Sequence, residues 1–364
     1  MKRILFLIVF LPALTTQTLG QQRNKTENVI LITLDGFRWQ EVFNGGDSAF
    51  MRQQQNLKDD KLKEKFWREN LDERRKALLP FFWNTIAFKG QLYGNRALGS
   101  KVNVTNNQWF SYPGYNEILT GRADNERIHS NDKMYNPNTN VLEFINSQPS
   151  FKGKVAAFTS WDVFPYIIND KRSGVFVSSG ISTVNDPKLN EREKMMNDLV
   201  MSLPNPLGDV RLDAFTFYYG LEYMKKNKPR VMYFAFDETD DFAHGGEYGA
   251  YLNSAYYTDR FISELWNYIQ TDVTYKNKTT LILTCDHGRG PGLEDWKHHG
   301  QKIAEADQIW FAILGPDTQT IGEMKGESQY YQNQLAKTIA AFLGLDYTGD
   351  NKIGDVVALM LKAK

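Results

Sequence analysis

This 364-residue sequence has one cysteine, five histidines and no net charge. Cys285 is the only cysteine, which excludes an internal disulfide framework. The 43 basic and 43 acidic side chains balance, so nothing favours a polyanion-binding surface, and we expect no binding to a nucleic-acid duplex. The apolar content of 41% and the aromatic content of 13% instead suit one large globular domain.

Long hydrophobic runs are missing after residue 20. Before it, Lys2 and Arg3 precede an apolar run, Ile4–Leu14, that is too short to span a bilayer. Small residues at 18–20 offer a cleavage position, so residues 1–20 are predicted to be a signal peptide. A membrane anchor is the alternative. We therefore expect residues 21–364 to form a single catalytic domain that is periplasmic or secreted, with no stable membrane span.

Continuous apolar runs predict strands that are buried on both faces of a sheet. Helical patterns lie between the runs, including Tyr251–Ile269 and Tyr330–Leu343. This alternation favours an α/β fold with three α/β/α layers around a mostly parallel sheet. We expect residues 125–230 to be mainly insertions around this core, capping the site. The predicted strands are Val29–Leu34, Val155–Phe158, Val231–Phe236, Thr280–Cys285 and Ile309–Leu314.

Acidic residues follow three of the predicted strands. Asp35 comes directly after the first, Asp240 follows the run VMYFAFDET, and Asp286 follows the run that ends at Cys285. Parallel α/β sheets bind their ligands beyond the carboxyl ends of the strands. One such acid could be a helix cap. Three acidic residues at one edge of a sheet indicate a ligand-binding site.

Histidines accompany two of these acids. His244 follows Asp240 by four residues. In a helix this spacing puts both side chains on one face, where they can coordinate one ion. His287 is adjacent to Asp286, and neighbours in a turn can serve one ion from two sides or bridge two ions. Either pair alone is a weak signal, but both follow predicted strands.

The segment WKHHGQK supplies another histidine before Gly300, although both of its histidines could simply lie on the surface. The whole set then offers six oxygen and nitrogen ligands, enough for two ions with three ligands each. Three protein ligands and an open position are typical of catalytic zinc, and manganese or iron also suits mixed imidazole and carboxylate ligands. The candidates are Asp35, Asp240, His244, Asp286, His287 and either His298 or His299.

Ser111 is the candidate nucleophile. It precedes Pro113 and a short helical pattern that Gly121 closes. A serine at a helix start meets free backbone N–H groups and the positive end of the helix dipole, which favour an alkoxide and can bind a phosphate. The alternative is that Ser111 only caps the helix.

These motifs resemble the alkaline phosphatase superfamily, and most closely its nucleotide pyrophosphatase/phosphodiesterase branch. LDGFRW resembles the first metal motif of that branch, and FSYPGYNEILTG resembles its nucleophile segment. DETDDFAH, CDHG and HHG resemble the remaining metal motifs, in the family's order. The resemblance runs from about Val29 to about Pro316 and implies an alkaline phosphatase-like fold.

The resemblance implies an exported hydrolase of phosphoric esters with two divalent ions, Zn²⁺ in the first place and Mn²⁺ as the alternative. Its substrate would be a small-molecule phosphate ester or a nucleotide-like compound. Ser111 would lie between the ions, attack phosphorus and form a covalent phosphoserine that water releases. His299 is preferred to His298 because the family's ligand directly precedes the glycine. The implied ligands are Asp240, His244 and His299 for one ion, and Asp35, Asp286 and His287 for the other.

The sequence also departs from the family's pattern. Ser111 stands where the branch usually has threonine, so a preference for diesters or monoesters stays open. Gly114 replaces the asparagine that follows the proline, and Asn116 is the candidate for the missing phosphate contact. Tyr115 occupies the place of the arginine that sulfatases require.

Three alternatives to a phosphoric ester hydrolase stay open. They are a phosphoglycerate mutase-like phosphotransferase, a sulfatase-like hydrolase and a non-catalytic binding member of the same fold. Arg38 and Arg289 each follow a metal motif and are further candidates for a phosphate contact.

Overall fold

The computed structural model describes residues 24–54 and 60–362. The predicted signal peptide therefore lies outside the described residues. Within them, no helix is both long and apolar enough to cross a membrane.

A large, mostly parallel sheet forms the centre of the described chain. It contains eight strands in the order β10-β2-β9-β7-β1-β6-β4-β5, and β11-β3-β8 form a smaller sheet. Among the described strands of the large sheet, only β9 runs antiparallel to both of its neighbours, β7 and β2, and in the smaller sheet β8 runs antiparallel to β3. The strands are β1 Asn28–Leu34, β2 Gln91–Tyr93, β3 Ser100–Asn103, β4 Val155–Thr159, β5 Phe176–Ser179, β6 Val231–Phe236, β7 Thr279–Thr284, β8 Gln308–Ile309, β9 Phe311–Leu314, β10 Gly322–Glu323 and β11 Ser328–Tyr331.

Helices cover both faces of the sheet. Adjacent residues of a strand point to opposite faces, and Tyr233 and Phe234 of β6 pack against different helices. Phe234 lies 6.1 Å from Phe217, between ring centroids, and Tyr233 lies 5.7 Å from Phe164. The helices are α1 Trp39–Asn44, α2 Ser48–Gln54, α3 Asp60–Phe66, α4 Leu71–Leu78, α5 Ala87–Lys89, α6 Ser111–Thr120, α7 Val141–Ser147, α8 Phe164–Ile168, α9 Asp170–Ser173, α10 Glu191–Ser202, α11 Asp213–Asn227, α12 Glu238–His244, α13 Tyr248–Thr271 and α14 Leu335–Phe342. The predicted α/β class with its mostly parallel sheet is thus confirmed.

The register of the three central strands positions the site. Leu34 of β1 pairs with Phe236 of β6, and Thr33 pairs with Thr284 of β7. The three strands therefore end together, and the residues that follow them emerge at one edge of the sheet. All seven residues of β1 are buried, so this edge rests on a rigid base.

Three segments differ from what their local patterns predict. Residues 125–230, expected to be mainly insertions, supply β5 to the central sheet in addition to β4, which contains the predicted strand Val155–Phe158. The run Ile309–Leu314 divides at Trp310 into β8 and β9, which belong to different sheets. The segment Tyr330–Leu343, predicted to be one helix, begins instead with the end of β11 and becomes α-helical only at Leu335.

Candidate metal centre and nucleophile

The edge residues of β1 and β7 form a compact group of candidate metal ligands. Asp35 Oδ1 lies 3.3 Å from His287 Nε2, and Asp286 Oδ2 lies 3.4 Å from the same nitrogen. Ligand atoms bonded at 2.0–2.1 Å to a tetrahedral ion are separated by about 3.4 Å. The spacing of these three side chains therefore fits a shared cation.

A second group lies beside the first. Asp240 and His244 sit one turn apart on α12, with 3.2 Å between Asp240 Oδ2 and His244 Nε2. His244 Nε2 is also 2.9 Å from His299 Nε2. His287 Nε2 is 3.8 Å from Asp240 Oδ1 and so connects the two groups. The ring of His298 has no described contact with these residues, so the geometry favours His299.

The arrangement differs in one detail from the grouping that the family implies. The tightest three-residue sets combine His287 with Asp35 and Asp286, and also His287 with Asp240 and His299. His244 stays at the more exposed rim, close to Asp240 and His299. The structure brings all six predicted ligands together, and it places His287 at the junction of the two sets.

Two carboxylate oxygens at this edge of the sheet are buried and have no hydrogen-bond partner within the described part of the chain. They are Asp35 Oδ1 and Asp286 Oδ2, and both point at His287 Nε2. The other oxygen of each carboxylate is satisfied: Asp35 Oδ2 accepts a hydrogen bond from Tyr115 (2.8 Å), and Asp286 Oδ1 accepts one from the Gly36 backbone N–H (3.0 Å). Buried charges are costly unless they are paired or bind a metal. The donor set therefore fits a cation.

The outer nitrogens of two histidines are also engaged. His287 Nδ1 donates to the Gly288 carbonyl (2.9 Å), and His299 Nδ1 donates to the Trp109 carbonyl (3.2 Å). Such bonds fix the tautomer and leave Nε2 free to coordinate. Trp109 itself has a left-handed backbone, with φ of 54°, so the carbonyl that orients His299 comes from an unusual conformation.

The pKa values of the candidate ligands are shifted because several acids and imidazoles are buried close together. Burial and the neighbouring charge of Asp35 raise the pKa of Asp286 to about 8. Burial alone would lower the pKa of His287, but the carboxylates of Asp286 and Asp35 outweigh it and raise that pKa to about 9. Burial and the charge of His287 lower the pKa values of His244 and His299, which keeps both imidazoles neutral, the form that binds metals.

Ser111 is the first helical residue of α6 and faces this group. Its Oγ lies 3.5 Å from His287 Nε2, and the side chain is only 6% exposed. The N-cap position belongs to Phe110, so the alternative that Ser111 caps the helix is wrong. The hydroxyl instead lies at the positive end of the helix and beside the candidate metal ligands.

Gly114 explains how α6 comes so close to the ligands. A Cβ atom built there would lie 2.4 Å from the backbone oxygen of Asp286, closer than real Cβ contacts allow. The helix therefore packs directly against the backbone of a ligand segment. The asparagine that the family has at this position would not fit without displacing one of the two.

Replacing Gly114 with alanine should therefore destabilise the protein. We expect a loss of about 1–3 kcal/mol in the free energy of unfolding, because the clash is with backbone that cannot rotate away. Urea unfolding would measure it. Gly292→Ala is the matched control, since a Cβ there meets nothing closer than 3.7 Å and the backbone is unstrained. Equal stability of the two variants would refute the close packing.

Asn116 has a different role from the predicted one. Its side chain is fully buried, its Nδ2 donates to the Arg122 carbonyl (3.1 Å), and its Oδ1 accepts from Asn136 (3.0 Å) and Asn138 (3.2 Å). The amide is thus committed to holding the 122–138 segment against α6. These bonds oppose the predicted phosphate contact.

Arg38 and Arg289 are likewise unavailable to a phosphate. Arg38 is buried in an ion pair with Glu41. Arg289 is buried against Asp240, to which its guanidinium donates, and it also binds the Lys297 carbonyl (2.9 Å). Both arginines support the backbone and ligands around the site.

Sequence reasoning missed two residues at the site. Asn131 Oδ1 accepts the backbone N–H of Tyr112 at the start of α6 (3.0 Å), which brings an exposed amide beside Ser111. In a chain with many asparagines in loops, no local signal distinguishes it. Tyr115 contacts Asp35, and its position four residues after Ser111, on the same helix face, was the available signal.

The edge of a mostly parallel sheet and the start of α6 beside it bring together a serine, carboxylates and imidazoles, in an alkaline phosphatase-like fold. Residues 45–342 match the profile of the type I phosphodiesterase / nucleotide pyrophosphatase family. The chain belongs to this family. The matched region begins after Asp35, so the first ligand rests on the geometry described above.

Solved structures agree with this fold. The alkaline phosphatase PafA superposes with a TM-score of 0.57 at 10% identity, over 93% of this chain and 99% of that one. The lipoteichoic acid synthase LtaP of Listeria monocytogenes has a TM-score of 0.54 at 13% identity, over 92% and 76%. The phosphonate monoester hydrolase SpPMH of Silicibacter pomeroyi has a TM-score of 0.54 at 13% identity, over 93% and 78%. No curated protein sequence matches the chain significantly.

Proposed function

We propose that this protein hydrolyses small phosphoric esters with two divalent metal ions and Ser111 as the nucleophile. One observation carries the proposal. Two buried carboxylate oxygens without hydrogen-bond partners, on Asp35 and Asp286, converge on His287 Nε2, which lies 3.5 Å from Ser111 Oγ. A nucleophile beside two buried acids that share a single imidazole fits a reaction in which bound cations offset negative charge.

The proposed ligands divide between two ions. Mixed carboxylate and imidazole donors suit Zn²⁺ and, less well, Mn²⁺. Bound ions would lower the pKa of the serine hydroxyl and neutralise charge on the phosphate. The first set is Asp35, Asp286 and His287. The second is Asp240, His244 and His299, in which His244 lies close to both of the others, and His287 lies at the junction of the two sets.

The proposed reaction consists of two nucleophilic displacements at phosphorus. Ser111 Oγ forms a bond to phosphorus, the ester oxygen leaves with a proton as an alcohol, and a phosphoserine results. Water then attacks the same phosphorus, the bond to Ser111 breaks, and the serine hydroxyl is restored. The N-terminus of α6 favours the negative charge throughout, and the amide of Asn131, whose Oδ1 accepts the Tyr112 N–H at the start of α6, is a candidate donor to a phosphate oxygen.

Export is the second part of this proposal. The basic start, the short apolar run and the small residues at 18–20 support a signal peptide and a periplasmic or secreted enzyme. The balanced charge supports small-molecule substrates.

Metal content and turnover should be measured together on purified protein. We expect two divalent ions per chain and hydrolysis of bis-p-nitrophenyl phosphate, p-nitrophenyl phosphate or both, with p-nitrophenyl sulfate spared. A chelator should abolish turnover, and zinc should restore it. The ratio of the two phosphate rates assigns the diester or monoester preference. Bound metal without turnover of any ester would contradict the proposal and favour a mutase-like or binding protein.

A further inference from the structure

Tyr115 links the nucleophile helix to a candidate metal ligand. Its hydroxyl donates to Asp35 Oδ2 at 2.8 Å, and the side chain is fully buried. We propose that Tyr115 is a positioning residue that sets the metal affinity of the centre by fixing the orientation of the Asp35 carboxylate. This inference rests on the proposed metal centre.

The hydrogen bond separates the two oxygens of Asp35 into distinct roles. Oδ2 is taken by Tyr115, whereas Oδ1 has no hydrogen-bond partner among the described residues and lies 3.3 Å from His287 Nε2. A carboxylate without the tyrosine could rotate and present either oxygen or both. With the tyrosine in place, Oδ1 would be the oxygen left to bind an ion.

The tyrosine can impose this geometry because its own position is fixed. Its ring packs against Phe164, with 4.6 Å between the ring centroids, and water is excluded. A hydrogen bond in such a dry environment is stronger than one in water. Hydrogen bonds to metal ligands typically raise metal affinity by 10–100-fold.

The position of Tyr115 on α6 adds a second consequence. Ser111 lies four residues earlier, so the two side chains project from the same face of one helix. Gly114 brings that helix into backbone contact with Asp286. The same rigid element therefore carries the nucleophile and orients the candidate ligand, so Tyr115 would also hold a bound ion at a constant distance from the serine oxygen.

Tyr233 offers a matched control. It is also fully buried and also packs against Phe164, with 5.7 Å between ring centroids. Its hydroxyl, however, is hydrogen-bonded to Thr33 Oγ1 (3.1 Å) and to none of the candidate ligands. Removing either hydroxyl costs one buried hydrogen bond, and only one of them touches the proposed metal centre.

The experiment compares Tyr115→Phe and Tyr233→Phe in the full chain. Zinc affinity would be measured by competition with a chromophoric chelator, and the stability of the metal-free proteins by urea unfolding. We expect Tyr115→Phe to weaken zinc binding by about 10–100-fold, and Tyr233→Phe to change it by less than about threefold. Metal-free stability should fall to a similar extent in both. Excess zinc should restore most of the turnover number of Tyr115→Phe.

The outcomes separate this inference from the proposed function. If the wild type binds no divalent ion, both fail. If the wild type binds zinc and Tyr115→Phe binds it equally well, only the positioning role is refuted. Equal weakening in both tyrosine variants would also refute it, because a general packing defect would then explain the loss.

Discussion

Ser111→Ala is expected to lower the turnover number by about a thousandfold or more, while metal content and the free energy of unfolding stay unchanged. The reason is chemical, because alanine offers no oxygen to attack phosphorus. The fold should tolerate the change. Ser111 occupies the first turn of α6, its hydroxyl does not cap the helix, and alanine is a good helix former.

Rate measurements alone would not identify a nucleophile, so the covalent intermediate should be sought as well. Acid quenching during turnover should trap a phosphoryl group on the peptide that contains Ser111, and mass spectrometry would locate it. Ser111→Thr keeps the hydroxyl and restores the residue usual in the diesterase branch, so it should retain measurable turnover. Ser202→Ala, an exposed serine at the end of α10, is the control and should match the wild type. Normal turnover by Ser111→Ala would refute the mechanism.

The central strands could be predicted from sequence because burial on both faces leaves a continuous apolar run. The predicted Val29–Leu34 lies within β1, and the predicted Val231–Phe236 coincides with β6. The division of the last run at Trp310 could not be predicted, since it depends on pairing with distant strands. Likewise Tyr330–Leu343 has helical spacing, yet its first residues belong to a strand that pairs with β3, more than 200 residues away in sequence.

At the candidate site, too, residues could be predicted where the local sequence is sufficient, and not where their roles depend on contacts with distant segments. Asp35 and Asp286 could be proposed because the ends of adjacent parallel strands must share one edge of the sheet. Asn116 was misjudged because its partners come from a loop that folds back onto α6. Tyr115 and Asn131 were missed because their roles arise from single contacts between segments. The spacing of Ser111 and Tyr115 places both on one helix face but does not show that Tyr115 contacts Asp35.

Asp286→Asn should separate metal binding from folding. The amide oxygen can still accept the Gly36 N–H, so the local backbone keeps its hydrogen bond. The other carboxylate oxygen, which points at His287 Nε2, becomes an amide nitrogen that cannot coordinate a cation. We expect metal affinity to fall by on the order of 100-fold or more, with turnover lost alongside it.

The stability of the same variant should change in opposite directions with and without metal. In the metal-free protein at a pH above the Asp286 pKa of about 8, the change removes one of two buried, mutually repelling carboxylates, so the free energy of unfolding should stay equal or rise. In the presence of zinc the wild type should be the more stable, because metal binding stabilises only the folded state that holds it. Urea unfolding of both proteins, once with chelator and once with zinc, would measure this change in the order of stability.

Asp259→Asn is the control for this zinc-dependent change in stability. Asp259 is also buried, but its carboxylate accepts the backbone N–H groups of Phe81 (2.7 Å) and Phe82 (2.8 Å), and it contacts none of the candidate ligands. Its replacement should lower stability equally with and without zinc and leave zinc affinity unchanged. If Asp286→Asn behaved in the same way as Asp259→Asn, the edge carboxylates would be structural, and the metal centre would have to be sought elsewhere in the chain.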